Sequence, residues 1–158
     1  RADKEETRSE SLRLRADRDA LTAAGIELSP TLGRPAEHWN RASGADATRR
    51  LIGEGVRFDA IFSLNDTLGL GALRALGEAG VDVPTDVAVI GFDNIDETRF
   101  SVPSMSSVET GRDQIAALAV DLLIERINEK GEPMPPRTLK PDFRIVGRES
   151  TGFTDSGD

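Results

Sequence analysis

The stretch that decides the fold runs from residue 58 to residue 94 and reads FDAIFSLNDTLGLGALRALGEAGVDVPTDVAVIGFDN. It opens with an apolar run at 58–64, continues with a helical pattern of leucines and alanines to about Ala79, and closes with a second apolar run at 87–92. Strands that are apolar on both faces and separated by a helix are typical of a parallel sheet covered on each side. The stretch therefore predicts an α/β fold, a Rossmann-like parallel sheet sandwiched by helices and built from βαβ units.

Further elements are predicted on both sides of this stretch from the periodicity of their apolar residues. They are a helix from Ser11 that ends at Gly25, a helix over 44–54, an amphipathic helix over 111–129, and two short strands over 137–140 and 143–147. Residues 26–43 are predicted to be a loop with room for one short strand, and the chain after Asp93 is predicted to be irregular to about Ser107. We expect a polar N-terminal segment over 1–10 and a disordered tail over 151–158.

The composition limits the classes of function. The 158 residues are 37% hydrophobic and 30% charged, which suits one compact domain with a real core. No apolar run approaches the ~18 residues of a membrane span. Cysteine is absent and His38 is the only histidine, so disulfides, a zinc site and a histidine-based catalytic triad are hard to build. We expect no metal, no cofactor and no catalytic residues.

The net charge of −8 has the wrong sign for a chain that grips nucleic acid by itself. The chain also begins with Arg1 rather than Met, and no apolar signal-peptide core follows. We therefore expect that this sequence is a piece of a longer protein and that it does not itself contact DNA.

Polar pairs follow both apolar runs of the central stretch. Asn65 and Asp66 end the first predicted strand, and Asp93 and Asn94 end the second. Ligands of open parallel sheets bind beyond the carboxyl ends of the strands, and carboxylates and amides there suit a polyhydroxylated or amine-bearing small molecule. The alternative is that one pair only caps a helix and the other only makes a turn.

Two residues outside the central stretch are further candidates for the site. Trp39 is the only tryptophan, and its ring is either a platform for a sugar or a flat base, or an anchor for its loop. Arg13, near the start of the first helix, either fixes a hydroxyl or carboxylate with its fork of donors or is simply solvated.

Other motifs carry no chemistry. Gly69-Leu70-Gly71 resembles the start of a dinucleotide fingerprint, but Arg74 stands at the third glycine position and the glycines lie inside a helix, so we expect a packing role. Ser63 has no histidine base other than His38 to activate it.

Four stretches of the sequence resemble a known family. The central stretch, together with RLRADRDALTAAG (13–25), SVPSMSSVETGRDQIAALAVDLLIERI (101–127) and FRIVGREST (143–151), is similar to the ligand-binding domain of lactose-repressor-type (LacI/GalR family) transcription regulators. The similarity covers about residues 11–151. It implies a periplasmic-binding-protein-like (type I) fold in which a small effector, often a sugar, binds between two subdomains.

The resemblance also implies an organisation of the chain. Residues 11–109 and 137–150 correspond to the second, C-terminal effector-binding subdomain, and residues 111–131 to the helix that returns toward the first. The DNA-binding head and most of the first subdomain are absent from this sequence.

The family's functional positions carry over residue by residue. Those that match the effector contacts are Arg13, Trp39, Asn65 and Asp93, and those that match the dimer face are Leu70, Leu73 and Arg74. The segment just after Asp93 also resembles the dimer face. Phe92 stands where the family frequently has Tyr, and so lacks a hydroxyl.

The sequence therefore predicts the effector-sensing and dimerising part of a cytoplasmic LacI-type regulator. Its partners would be a small molecule, most simply a carbohydrate, a second copy of the chain, and operator DNA contacted only through the missing head. The alternative is a periplasmic sugar-binding protein of an ABC transporter, which a signal peptide upstream would favour over a helix-turn-helix. An enzyme on the same fold is a third reading that lacks a nucleophile, a base and a phosphate loop.

Overall fold

A computed structural model of the chain describes residues 8–129 and 135–153, with side chains from residue 11 onward. In chain order the elements within these ranges are α1 (Arg8–Ala23), α2 (Arg41–Gly53), β1 (Ala60–Phe62), α3 (Asp66–Glu78), β2 (Ala88–Phe92), a 3-10 helix (Asp96–Arg99), β3 (Ser106–Glu109), α4 (Arg112–Asn128), β4 (Arg144–Val146) and a second 3-10 helix (Glu149–Thr151). Among these residues, no helix is long and apolar enough to cross a lipid bilayer.

The centre of the fold is a four-stranded sheet in the order β1-β2-β3-β4. The first three strands are parallel, and β4 runs antiparallel to β3. Because α3 joins β1 to the neighbouring parallel strand β2, the segment 60–92 is a βαβ unit. The predicted α/β fold is confirmed, and the sheet that was predicted to be parallel is parallel in its first three strands and antiparallel at β4.

The main core lies between α3 and one face of the sheet. Its buried members are Leu73, Leu76, Val87, Val89 and Met105. Val89 and Gly91 point to this face and are buried, whereas the alternate residues of β2 are only half-buried. The two faces of the sheet are therefore covered to different degrees in the described part of the chain.

Glycines let α2 and α3 touch backbone to backbone. A Cβ on Gly44 would lie 2.2 Å from the Leu68 carbonyl oxygen, and one on Gly71 would lie 2.0 Å from the Arg41 carbonyl oxygen. Gly69 faces the core instead, where a Cβ would come within 2.8 Å of the Met105 sulfur. The predicted packing role of Gly69 and Gly71 is confirmed.

Several predicted boundaries differ from the structure. α2 begins at Arg41 rather than 44, because the Asn40 side chain caps it by accepting from the Ser43 N–H at 2.9 Å. β3 begins inside the segment that was predicted to be irregular. Its pattern is not apolar, since Ser106 and Ser107 are fully buried and bonded through their hydroxyls. No strand forms over 26–43 or 137–140.

The outer parts of the chain also depart from prediction. The predicted apolar stripe of α4 exists, yet no residue of that helix is buried in the described structure, and Leu123 and Ile127 are 59% and 72% exposed. Residue 151 is ordered rather than part of a disordered tail, because the Thr151 hydroxyl bonds to the Ser106 hydroxyl at 2.7 Å. Residues 1–7 and 154–158, where the remaining terminal predictions fall, lie outside the described residues.

Candidate ligand-binding site

Arg13 of α1 forms the centre of a cluster at the carboxyl ends of β1 and β2. Its Nη1 donates to the Leu64 carbonyl oxygen, and its Nη2 lies 3.4 Å from Oδ1 of Asp93. The guanidinium stacks over the Phe92 ring, 3.9 Å from the ring centre, and lies 5.7 Å from the centre of the Trp39 ring. A freely solvated Arg13 is therefore not what the structure shows: the side chain is held by a carbonyl, a carboxylate and an aromatic face.

Asn65 caps α3 and also joins the cluster. Its Oδ1 accepts from the Leu68 N–H at 2.8 Å and lies 3.0 Å from the Thr67 hydroxyl oxygen. That hydroxyl is also 3.0 Å from the Trp39 carbonyl oxygen, so Thr67 ties the tryptophan loop to the start of α3. The amide nitrogen of Asn65 donates to no atom of residues 8–129 and 135–153. The capping role and a role toward a ligand are thus compatible.

Asp93 lies at the end of β2 with a carboxylate that is partly open to solvent, its side chain being 35% exposed. Burial raises the pKa of this carboxyl, while the nearby guanidinium groups of Arg13 and Arg112 lower it. Its backbone N–H donates to the Val108 carbonyl oxygen at 3.0 Å, which continues the ladder between β2 and β3 beyond the strand end. The carboxylate therefore faces the cluster from a rigid edge of the sheet.

Asp66, the neighbour of Asn65, is not at the surface of the site. It is 1% exposed, and it accepts from the Ser107 hydroxyl at 2.7 Å and from the Ile95 N–H at 2.8 Å. Burial raises the pKa of Asp66, and these hydrogen bonds oppose the rise. Gly91 makes room for it, since a Cβ there would lie 2.1 Å from Oδ1. Asp66 supports the turn that presents Asp93, which the pairing of Asn65 with Asp66 in sequence did not reveal.

The structure brings the four predicted positions, Arg13, Trp39, Asn65 and Asp93, into one cluster, and it adds two partners that sequence reasoning missed. Phe92 was noted only for its lost hydroxyl, yet its ring supports the Arg13 guanidinium. Thr67 was not singled out at all. The hint available in the sequence was position alone: both residues adjoin the polar ends of the strands.

The predicted dimer residues have unequal exposure. Leu73 belongs to the buried core and is 8% exposed, so it offers little surface to a second copy, and its place on a dimer face stays a prediction. Leu70 is half-buried and packs against the same core. Arg74 is exposed and pairs with Glu78 at 2.7 Å.

No group of three or more metal-ligating side chains comes together within the residues that the structure describes. His38 is exposed, and its imidazole lies 4.0 Å from the carboxylate of Glu37, which is also exposed.

Comparison with known proteins gives the family. The family model of the periplasmic binding protein-like domain matches residues 1–151, and the chain belongs to this family. Its relatives within the family are similar to it over most of its length, and they are LacI-type transcription regulators. The resemblance drawn from the sequence is confirmed.

Three of these relatives show the extent of the likeness. The transcriptional repressor PurR of Pasteurella multocida is 32% identical over 126 residues, which are 80% of this chain and 37% of that protein. A protein from Sanguibacter keddieii assigned to the LacI family superposes with a TM-score of 0.86 at 50% identity, over 91% of this chain and 53% of its own. The complex of the regulator CelR with cellobiose has a TM-score of 0.78 at 35% identity, over 89% and 42%. The chain thus spans 37–53% of the length of these proteins.

Proposed function

We propose that the chain is the effector-binding part of a LacI-type transcription regulator and that its ligand is a neutral carbohydrate held at the Arg13 cluster. The observation that carries the proposal is the Arg13–Asp93 pair, which joins residues 80 positions apart and whose guanidinium lies 5.7 Å from the centre of the Trp39 ring. Half-buried donors and acceptors beside an aromatic face are the usual composition of a sugar site.

The charges of the cluster favour a neutral ligand. Two cations near Asp93 could bind an anion, but Arg13 already donates to the Leu64 carbonyl and pairs with Asp93, and Arg112 donates to the Asn94 carbonyl. A phosphate or carboxylate would have to compete with Asp93 for those donors. A hydroxyl can instead donate to the Asp93 carboxylate and accept from the amide of Asn65 without breaking either bond. The bound cellobiose of the relative CelR supports the same ligand class.

The proposed mechanism is a shift of population in the whole regulator. A ligand that contacts this cluster and the opposite wall of the cleft favours the closed arrangement over the open one. Operator DNA, contacted through a head outside this sequence, would then be bound with altered affinity in the cytoplasm. A tenfold change needs about 1.4 kcal/mol of coupling, which a few hydrogen bonds supply. No step of this mechanism is catalytic.

The proposed regulator acts as a homodimer through the surface beyond Asp93. In that segment Phe100 and Val102 are 78% and 94% exposed, a large apolar area for a surface loop. The other residues predicted for the dimer face lie in α3. Of these, Arg74 is exposed, and half-buried Leu70 keeps part of its side chain at the surface. The alternative of a transport protein is not favoured, since all three relatives named above are described as transcriptional regulators or repressors.

Isothermal titration calorimetry tests the site. The parent protein that carries this chain would be titrated with cellobiose, with a set of monosaccharides and with free nucleobases. We expect a sugar to bind and Asp93→Ala to weaken it at least about tenfold, because a hydrogen bond to a charged group is worth roughly 1.5–3 kcal/mol. Asp121→Ala, on the exposed face of α4, is the matched control and should leave affinity unchanged. An unchanged affinity in Asp93→Ala would overturn the site, and a preference for nucleobases would overturn the ligand class.

A further inference from the structure

Asn94, the residue after Asp93, has every polar group of its backbone and side chain bonded. Its N–H donates to the Ser107 hydroxyl at 3.0 Å, and its Nδ2 donates to Glu109 Oε2 at 2.8 Å. Its Oδ1 accepts from Arg148 at 2.7 Å, and its carbonyl oxygen accepts from Arg112 at 2.9 Å. Four different residues thus hold one side chain and its peptide group, which is a dense network for a turn at the rim of a sheet.

This network surrounds an uncommon backbone conformation at Asp93 and Asn94. Asp93 has φ +106° and Asn94 has φ +48°, two consecutive residues other than glycine with positive φ. Such conformations are strained for residues other than glycine and persist only where the surroundings hold them in place. Asparagine tolerates the left-handed region better than most residues. The bonds of Asn94 therefore help to set the direction in which the Asp93 carboxylate points.

The partners of Asn94 lie where the chain leaves the sheet and where it returns. Glu109 is the last residue of β3, and its other oxygen, Oε1, accepts from the Gly111 N–H at 3.1 Å just before α4. Arg112 is the first residue of α4. Arg148 follows β4 and also donates to the Met105 carbonyl oxygen at 2.6 Å. The Asn94 side chain thus connects the rim of the candidate site to the residue that ends β3, before α4, and to a residue that follows β4.

We propose that Asn94 is a positioning residue that holds Asp93 and couples its placement to the junction between β3 and α4. The proposal rests on the proposed function, because it treats Asp93 as a ligand contact. The coupling is reciprocal: a change at the junction alters the cluster, and a change in the cluster alters the junction. The position needs a side chain that donates to Glu109 and accepts from Arg148, which an amide does and a carboxylate does not.

The 158-residue chain itself tests the coupling by two-dimensional ¹H–¹⁵N NMR. The Gly111 amide reports the junction, and the indole N–H of Trp39, the only tryptophan, reports the cluster. Asn94→Asp places a carboxylate against Glu109, and Glu109→Gln places two amides together. We expect each single variant to shift both signals. The double variant should return both signals toward wild type. The amide nitrogen introduced at position 109 donates to the carboxylate introduced at position 94, while the amide oxygen at position 109 still accepts from the Gly111 N–H.

The controls separate coupling from local damage. Asn128→Asp, at the exposed end of α4, makes the same chemical change and should shift neither signal. If the Gly111 amide moves while the Trp39 indole stays in both single variants, or if the shifts of the double variant simply add, the proposal is overturned. If Asn94→Asp does not fold, Glu109→Gln alone decides between a shifted and an unshifted indole. No sugar is needed, so a failure of the calorimetric panel would overturn the proposed function and leave the coupling measurable.

Discussion

Replacing Gly71 by alanine should force apart α2 and α3, whose backbones meet at this glycine. A Cβ at this position would lie 2.0 Å from the Arg41 carbonyl oxygen and 2.8 Å from the Ala45 nitrogen. Carbon and carbonyl oxygen normally approach no closer than about 3.3 Å, so α2 and α3 must separate by roughly 1.3 Å. The obstacles are backbone atoms, which cannot rotate away as the end of a side chain can.

The expected cost follows from two opposing effects. Overpacking typically costs about 1–3 kcal/mol and occasionally more, and rigid backbone obstacles place this variant at the upper end. Alanine is better than glycine inside a helix by roughly 1 kcal/mol, which offsets part of the loss. We expect Gly71→Ala to lower the free energy of unfolding by about 2 kcal/mol, or Tm by about 4–8 °C for a chain of this size.

The same helix supplies the matched control. Gly77 is also in α3, but a Cβ there meets nothing within 4 Å, so Gly77→Ala gains helix propensity without a clash. Circular dichroism melts of both variants measure the difference, with Gly77→Ala expected to raise Tm by about 2–4 °C. Shifts of the same sign in the two variants, or a Gly71→Ala variant as stable as wild type, would refute the steric reasoning. The Trp39 emission should change in Gly71→Ala alone, because the Trp39 carbonyl is tied to Thr67 of α3.

Two further predictions concern acid stability and assembly. Burial raises the pKa of Asp66 above its ordinary value of 3.8, so its contribution to the free energy of unfolding is full below pH 3.8 and is lost as pH rises through the raised pKa. Urea titrations at a series of pH values from 3.8 upward should therefore show that the free energy of unfolding falls more steeply with pH in wild type than in Asp66→Asn. An equal dependence on pH in the two proteins would contradict this. Light scattering should show a dimer that Phe100→Asp dissociates, whereas Phe143→Asp, equally exposed at 78%, leaves it intact. A monomeric wild type at high concentration would count against the surface.

The sequence predicted the elements whose buried side chains are apolar, and it missed β3, whose buried side chains include two serines. α3 and β2 carry leucines, valines and alanines at regular spacing, so their positions could be predicted to within about one residue. β3 could not be, because Ser106 and Ser107 look like loop residues until their hydroxyls are seen to bond to Thr151 and Asp66. A buried polar strand depends on partners more than 40 positions away.

The sequence could predict which residues of the candidate site lie close together, but not the contacts that hold them there. Two arguments placed Asn65 and Asp93 at one edge: the rule that ligands bind at strand ends, and the family resemblance, which added Arg13 and Trp39. Neither argument could show that Asp66 lies beneath the turn or that Phe92 carries the Arg13 guanidinium. Those facts depend on side-chain packing across the fold. The binding role of all four residues stays a prediction.

The way α1 is attached bears on the order in which the molecule opens. Among its described side chains, residues 11–23, none is buried, and Arg13 is its tie to the strand ends. Local opening begins where little apolar area is lost, so α1, like α4, is expected to exchange its amide hydrogens before the α3–β2 unit does. A ligand that contacts Arg13 binds only the docked helix and must slow that exchange. Occupancy of the site would then be visible as protection in the first helix, far along the chain from the strands that form its floor.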